Sequence, residues 1–428
     1  MSEQRRVVVT GIGLLTALGA DAATTWDGLL AGRSGIGLIN AYDPAPLRTR
    51  LGAEITGFDP AQFASRKSLR MLNRGDQLGV AGATLALQDA GLDTRSGLGP
   101  RAGLYLGGNK EISRLDDLIE SIVRIRRPDG SLDMHRLGAE GASIMAPLFF
   151  VEGLQPAAVF HVSQKFGIRG PNSFYAGTAD SGATAIGRAM RAIRRGEADL
   201  AVAGGYDDAT NWWPMSKLDG VGVLATDNDR GAAAFRPFDA ERSGSVLGEG
   251  AALLVLEERG AAEARGARIY AEITGFGSGN ECHEPPAPHP QGRGLAQAIE
   301  MSLRDARVGT DAVSYVAAHG CATVDGDVSE TRALHAALGP HAGNVPVSSV
   351  KPQIGHLVGG AGAANAAVVA LALYHSVIPS TANLDRPDPL CDLDYVPGSP
   401  RQAELTTALA LARGFEGQAV SLAMAKAR

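Results

Sequence analysis

Two histidines and a lysine follow apolar runs in the second half of the sequence. His319 comes directly after YVAA, and Lys351 comes directly after VPVSSV. His356 follows Lys351 at the start of a segment rich in glycine and alanine. A residue that follows a strand of an α/β fold lies at the edge of the sheet where ligands usually bind. Two imidazoles and an ammonium there could polarise a carbonyl group, stabilise an oxyanion, or bind a carboxylate that is lost as carbon dioxide. One such histidine alone is more often structural.

The segment NSFYAGTADSGATAIGRAMRAIRRGEADLAVAGG, residues 172–205, predicts a strand, a tight turn, a helix and a second strand. Enzymes with an α/β fold often place a nucleophile in such a turn. Here the turn contains Gly177, Thr178, Ala179 and Asp180, with no cysteine and no well-placed serine. The pattern therefore indicates a nucleophile-presenting turn that lacks its nucleophile.

Two further loops contain residue types that could do chemistry. In GFEG, residues 414–417, Phe415 lies between glycines and could swing as the gate of a pocket; the alternative is an ordinary hairpin turn with a packed phenylalanine. The loop ECHEPPAPHP contains Cys282, His283 and His289. Its spacing does not match that of a closed zinc site, so we expect no metal there.

The elements that would position these residues are short apolar or β-branched runs alternating with longer helical patterns. This alternation favours layered α/β structure. The predicted helices include Gly182–Arg195 and Leu295–Asp305. The predicted strands are Arg6–Gly11, Gly103–Leu106, Ser173–Thr178, Leu200–Ala203, Ala251–Leu256, Arg268–Thr274, Tyr315–Ala318, Val345–Ser349, Ala408–Ala412 and Ala419–Ala423.

The chain has two halves that begin alike. VVVTGIG (Val7–Gly13) recurs as YAEITGFG (Tyr270–Gly277), which suggests an internal duplication with halves 1–257 and 258–428. The segment Gly108–Gln164 breaks the alternation of strands and helices. We interpret it as an insertion, either at a subunit interface or as a buried connecting subdomain.

Composition excludes several classes of protein. The 428 residues are 45% hydrophobic and carry a net charge of −6 without a long basic tract, so we expect no nucleic acid as partner. Three scattered cysteines do not form a disulfide scaffold, which favours a reducing compartment. The sequence shows no signal peptide and no apolar run of about 18 residues. We therefore expect a soluble cytoplasmic protein that does not bind a membrane.

These motifs together resemble the β-ketoacyl-acyl-carrier-protein synthases, the elongating ketosynthases of the thiolase superfamily. The resemblance runs nearly end to end, through RRVVVTGIGLLTALG, FRPFDAERSGSVLGEGAALLVLEE, AAHGCATVDGDVSE, SSVKPQIGHLVGGAGAANA and GFEG. It implies the thiolase fold, with two similar α/β halves in five layers, αβαβα, normally built as a dimer. It also implies no cofactor, because the substrates arrive on the phosphopantetheine of an acyl carrier protein.

The resemblance also assigns roles to individual residues. The two catalytic histidines of the family match His319 and His356, the lysine matches Lys351, and the gating phenylalanine matches Phe415. The nucleophilic cysteine position falls on Ala179, counted without a gap. Without a thiolate no acyl-enzyme can form, and acid–base assistance cannot replace that covalent step.

Neighbouring residues do not restore the nucleophile. We expect Asp180 to cap the helix and Ser181 to lie one position off the turn. Cys321 could line the pocket but lacks activation by a helix N-terminus. The histidine loop (Cys321-Ala322-Thr323) and the final loop (Glu416-Gly417-Gln418-Ala419) also depart from the family pattern.

Three hypotheses follow. The first is a chain-length factor, also called ketosynthase beta, that forms a heterodimer with a Cys-bearing ketosynthase and extends carrier-bound chains with malonyl units in type II polyketide or fatty-acid synthesis. The second is a malonyl-carrier-protein decarboxylase or non-condensing acyltransferase that uses His319, His356 and Lys351. The third is an active synthase whose cysteine was changed to Ala179 by engineering. A binding role unrelated to acyl chains is the least favoured.

A basic segment, SRKSLRMLNR, offers a docking site for the acidic carrier protein. Arg66, Lys67, Arg70 and Arg74 are expected on one face of a helix. The matching helix of the family helps to dock the carrier protein, and a basic face suits an acidic partner. The alternative is a solvated helix surface.

Overall fold

The computed structural model describes residues 5–109, 115–154 and 157–427. Its strands, in chain order, are β1 Val7–Leu15, β2 Gly37–Leu38, β3 Leu51–Gly52, β4 Ala102–Gly108, β5 Asn172–Ala176, β6 Leu200–Asp208, β7 Glu249–Glu258, β8 Ala271–Asn280, β9 Val313–Ala317, β10 Val347–Ser348, β11 Val377–Ile378, β12 Arg401–Gln402, β13 Thr407–Arg413 and β14 Gln418–Ala425.

The α-helices are α1 Ala22–Leu30, α2 Arg66–Leu69, α3 Arg74–Asp89, α4 Leu115–Ile125, α5 Met134–Ala139, α6 Phe149–Glu152, α7 Ala157–Phe166, α8 Ala179–Arg194, α9 Trp212–Val221, α10 Arg259–Ala264, α11 Arg293–Ala306, α12 Val324–Leu338, α13 Lys351–Ile354 and α14 Ala361–His375. Short 3₁₀ helices lie at Pro60–Gln62, Gly141–Ser143, Asn228–Ala234, Thr310–Ala312, Gly339–Asn344 and Val358–Gly360.

One continuous sheet contains all ten strands predicted from the sequence. Their order is β10-β9-β13-β14-β8-β1-β7-β6-β4-β5. The order is symmetric about the contact between β1 and β8, which are the two strands of the TGxG repeat. That contact consists of only two residue pairs, Val8 with Glu272 and Val9 with Ala271. The sheet therefore has two similar halves joined along a short seam.

Helices cover both half-sheets and also separate them. The core between the half-sheets is built from α8 and α14, with Ile186 and Leu371 among its buried residues. The outer face of the first half is packed against α3 and α7, and that of the second half against α11 and α12. This confirms the five-layer αβαβα arrangement. The division into domains at residues 257 and 258 stays a prediction.

The two central helices approach each other closely because small residues line their contact. A Cβ atom on Gly362 would lie 2.5 Å from the carbonyl oxygen of Ala179. Only glycine fits there, so the start of α14 can lie against the start of α8. This packing brings the loop before α14 next to the predicted nucleophile turn.

The apolar segment Val358–His375 is 18 residues long, has a mean hydropathy of 1.3 and is 89% buried. The expectation that no apolar run would reach this length was wrong. Its burial is that of a core helix. The proposed insertion 108–164 contains α4, α5 and α6, and its residues 110–114 and 155–156 lie outside the described part of the chain.

Candidate active site

The predicted nucleophile position lies at the first residue of α8. Ala179 is 1% exposed and follows Thr178, the N-cap residue, whose side chain makes no capping hydrogen bond. The prediction that Asp180 caps the helix was wrong, because Asp180 is already inside the helix and its Oδ1 atom has no hydrogen-bond partner. The backbone N–H groups at this helix start would favour an anion, but the alanine methyl cannot use them.

His319 is held by a carboxylate from the outer layer. Glu330 of α12 accepts hydrogen bonds from the backbone N–H groups of His319 and Gly320, both at 2.7 Å. The Lys351 ammonium donates a hydrogen bond to the carbonyl oxygen of His319. Burial lowers the pKa of Lys351 to about 8, and the Glu330 charge partly offsets this effect. Lys351 therefore stabilises the main chain of the loop that contains His319.

Hydrogen bonds fix the tautomer of both imidazoles. Nδ1 of His319 accepts from the backbone N–H of Arg413 at 3.3 Å, and Nδ1 of His356 accepts from the backbone N–H of Val358 at 3.0 Å. A neutral ring that accepts at Nδ1 carries its proton on Nε2. Each ring therefore offers one Nε2–H donor.

Both imidazoles are neutral near pH 7. Burial, followed by the Lys351 charge, lowers the pKa of His319 well below its ordinary value and that of His356 to about 3. Their ring centres are 5.5 Å apart with planes at 78°. Two neutral N–H donors at this separation can stabilise the oxygen of an enolate or of a tetrahedral intermediate.

A cavity of about 330 Å³ connects these groups. Its lining includes Ala179, His319, His356 and Phe415. The structure therefore brings together four of the residues predicted from separate motifs. Lys351 does not line this cavity, since its ammonium is turned to the carbonyl of the histidine loop.

Phe415 also borders a second cavity of about 380 Å³. The two cavities share Thr178, Val221, Pro286 and Phe415. Leu218 and Pro214 of α9 line the second cavity, which is open to the surface. The position of Phe415 between the cavities is the one expected of a gate, and its gating role stays a prediction.

Cys321 lines the first cavity, as the sequence predicted. Burial and the nearby charge of Asp327 raise the pKa of its thiol. The thiol lies 3.3 Å from the Thr323 hydroxyl. Because only the thiolate is a strong nucleophile, Cys321 is unsuited to replace the missing cysteine.

Sequence reasoning missed two charged residues of the site. Arg413 lines the cavity, is 6% exposed, and is held by Ser329 and Gly326. A signal existed, since this arginine ends the apolar run TALALAR. Glu330 lay within the quoted histidine motif, but nothing in the letters showed that its carboxylate turns back to the loop.

The predicted basic face is only partly correct. Helix α2 ends at Leu69, so Arg70 and Arg74 do not continue it. Arg74 begins α3 and forms an ion pair with Glu249 at 2.5 Å. Arg66, Lys67 and Arg70 are exposed and stay candidates for docking.

The loop with Cys282, His283 and His289 brings its two imidazole rings to 5.6 Å. In the part of the chain that the structure describes, no group of three or more His, Cys, Asp or Glu side chains could hold a metal ion.

Five layers, a two-fold repeated sheet and two imidazoles that share a cavity with the start of a buried helix are the features of the ketoacyl synthase family of the thiolase superfamily. The chain belongs to the β-ketoacyl synthase family: residues 4–262 match its N-terminal domain and residues 270–385 its C-terminal domain. Ketosynthases of this family use no cofactor beyond the carrier-bound phosphopantetheine of their substrate.

Several named relatives cover almost the whole chain. A 3-oxoacyl-[acyl-carrier-protein] synthase 2 of Synechocystis is 36% identical over 99% of both chains. The ketoacyl synthase alpha subunit of the tetracenomycin polyketide synthase of Streptomyces glaucescens is 38% identical, over 97% of this chain and 95% of its own. The ishigamide ketosynthase/chain length factor has a TM-score of 0.88 at 28% identity over the full length of both chains. A type II ketosynthase solved with its acyl carrier protein and a hexaketide, AntDE:AntF, has a TM-score of 0.86 at 28% identity, again over both full lengths.

Proposed function

We propose that this chain is a chain-length factor, the non-condensing partner of a Cys-bearing ketosynthase in type II polyketide or fatty-acid synthesis. One observation carries the proposal: Ala179 occupies the first position of α8 and lines the same cavity as the two oriented imidazoles. An alanine there cannot accept an acyl group, whereas the fold around it is complete.

No neighbouring side chain takes over the covalent step. The Ser181 hydroxyl is buried and donates to the carbonyl oxygen of Thr178 at 2.8 Å. Cys321 has a raised thiol pKa. Because condensation in this family proceeds through an acyl-enzyme, the chain needs a partner that supplies the thiolate.

The surface of the proposed insertion supports assembly with a second ketosynthase-like chain. Ile119 and Val123 of α4 are 43% and 64% exposed, and Met134 of α5 is 63% exposed. Strand β5 lies at the end of the sheet and is partly exposed. Exposed apolar side chains and an open sheet edge are usually covered in an assembly. A similar chain with a related surface is the partner that such an interface fits.

The second cavity supports a role in measuring chain length. It is lined by Phe415 and by Leu218 and Val221 of α9, and it is open to the surface. In a heterodimer, a surface opening of this kind could continue into the partner's cavity and form the wall of a shared tunnel. The carrier protein would dock beside it, and the exposed Arg66, Lys67 and Arg70 are the proposed contacts.

Reconstitution tests the proposal. The chain alone, a Cys-bearing homologue alone and the co-expressed pair are each given acyl- and malonyl-carrier protein. We expect elongated product only from the pair, and intact-mass analysis should find an acyl adduct only on the homologue. An acyl adduct on this chain would refute the proposal.

The oriented histidines favour a second function, decarboxylation of malonyl-carrier protein without condensation. Loss of carbon dioxide from the malonyl group leaves an enolate, whose oxygen His319 and His356 could stabilise through their Nε2–H groups. A proton from water then completes acetyl-carrier protein, and no thiolate is needed. Release of carbon dioxide by the purified chain alone, lost when His356 is replaced by alanine, would support this function. Condensation restored in the single chain by a cysteine at position 179 would instead favour a synthase inactivated by substitution.

A further inference from the structure

Two buried oxygen atoms near the start of α8 have no hydrogen-bond partner. They are Oδ1 of Asp180, a residue that is 8% exposed, and Oε1 of Gln418 at the start of β14. A Cβ atom on Gly414 would lie 2.5 Å from the first oxygen and 2.8 Å from the second. The two oxygens therefore lie within about 5 Å of each other, and both are next to Gly414. Buried polar atoms are normally paired, and a proton on Asp180 would allow these two oxygens to pair.

The turn that carries Phe415 is anchored at the same place. The backbone N–H of Phe415 donates to the Thr178 hydroxyl at 3.0 Å. The backbone N–H of Gly414 donates to the carbonyl oxygen of Gln418 at 2.7 Å, which closes the turn. Phe415 is therefore hydrogen-bonded directly to the N-terminus of α8, and Asp180 lies next to Gly414, the residue before Phe415.

The charge state of Asp180 decides which contact it can make. Burial and the charge of Glu416 raise the pKa of the Asp180 carboxyl to about 6. Backbone N–H groups of Asp180 and Thr178 act in the opposite direction and lower this pKa. The ionisable groups that line the adjoining cavity are Glu281, His319, Cys321, Asp325, His356 and Arg413. A protonated Asp180 can donate to Gln418 and satisfy both oxygens. An ionised Asp180 would face an amide oxygen and the carboxylate of Glu416.

We propose that Asp180 and Gln418 are positioning residues whose hydrogen bond holds the Phe415 turn closed over the start of α8, and that ionisation of Asp180 releases the turn. The native state favours the protonated carboxyl, so the contact is complete below the ordinary pKa of an aspartate and is lost as the pH rises through about 6. The boundary between the two cavities thus opens toward neutral pH. The device does not depend on whether the chain condenses, decarboxylates or measures length.

Amide hydrogen exchange in the intact chain tests this proposal. Exchange of the peptide that spans residues 412–420 is measured at about pH 5 and about pH 7.5 and corrected for the intrinsic rate. We expect protection to fall about tenfold or more at the higher pH, because the protonated fraction of Asp180 falls by at least that factor. Asp180→Asn keeps an N–H donor at both pH values and should make the protection high and independent of pH. Asp180→Ala should abolish it at both.

Carbon-13 NMR of the Asp180 carboxyl in the wild-type chain gives an independent measure, and its titration should coincide with the loss of protection. Circular dichroism and the unfolding midpoint of each variant show whether it is folded. Equal protection of the wild-type turn at both pH values would overturn the proposal, since an ionised Asp180 would then be held by the Gln418 amide group. Unchanged protection in folded Asp180→Ala would overturn it as well.

Discussion

Restoring a cysteine at position 179 tests the electrostatics of the site most directly. The Ala179 side chain is buried but lines the first cavity, so the sulfur of a cysteine at this position would enter the cavity with little repacking. Ala179→Cys therefore asks whether the start of α8 still activates a thiol in this chain.

Two opposing effects set the pKa of the new thiol. The N-terminus of the 16-residue helix α8 favours the thiolate by about 0.3–2 kcal/mol, which lowers the thiol pKa by roughly 0.2–1.5. The neutral His319 and His356 add no positive charge. An ionised Asp180, at about 7 Å and an effective dielectric constant of about 20, opposes the thiolate by roughly 2 kcal/mol. The opposing charge equals or exceeds the helix effect, so we expect a thiol pKa of about 8.5–10 and little thiolate at pH 7.

A second substitution separates the two effects. In the double variant that combines Ala179→Cys with Asp180→Asn the opposing charge is absent. The thiol pKa should then fall by about 1.5, to roughly 7–8.3, and the thiolate fraction at pH 7 should be at least roughly tenfold larger. The assay is the pH dependence of alkylation at residue 179, with intact-mass detection of an acyl adduct from acyl-carrier protein. The parent chain serves as control because it retains Cys282, Cys321 and Cys391. Equal thiol pKa values in the single and double variants would refute the electrostatic reasoning, and no labelling in folded protein would show that residue 179 does not face the cavity.

Three further outcomes are expected. Burial lowers the pKa of Lys351 to about 8 in the folded chain, whereas its unfolded value is near 10.4. The free energy of unfolding should therefore rise by roughly 3 kcal/mol more in wild type than in Lys351→Met as the pH rises from about 8 to about 10.4. Urea unfolding at a series of pH values measures this difference, and the same pH dependence in both proteins would contradict it. Any carbon dioxide release from malonyl-carrier protein should fall by about 10²-fold in His356→Ala, measured with labelled substrate; equal rates would remove His356 from the reaction. Arg66→Glu with Arg70→Glu should weaken carrier-protein binding about tenfold in calorimetry, whereas Arg95→Glu, a change at another exposed arginine, should not; equal affinities would exclude this docking site.

The sequence predicted the strands well because apolar β-branched runs are read directly from the letters. All ten runs form strands of the central sheet, although the helix expected from Gly182 begins at Ala179. The gathering of residue 179 with His319, His356 and Phe415 was also predictable, but only because the family resemblance joined motifs that lie far apart in the chain.

The errors arose where a side chain depends on three-dimensional contacts. Asp180 has a residue type that caps helices, yet it lies one turn position inside α8 with an unpaired oxygen. Arg74 has a helical spacing from Arg70, but the helix is interrupted between these two residues. The Arg74 guanidinium instead forms an ion pair with Glu249, which is distant in sequence. Periodicity cannot show an ion pair between residues that only folding brings together.

The duplicated architecture divides the pocket between two parts of the chain that can change separately. The first half contributes the beginning of α8, where the side chain of residue 179 makes no polar contact and its loss leaves the backbone intact. The second half contributes His319, Lys351 and His356, and each of these is tied to the main chain, through Arg413, the carbonyl of residue 319 and Val358 respectively. These three residues have a folding role that would persist after chemistry has ceased. Because these contacts stabilise the fold, the three residues would be retained in a chain that has no nucleophile at position 179.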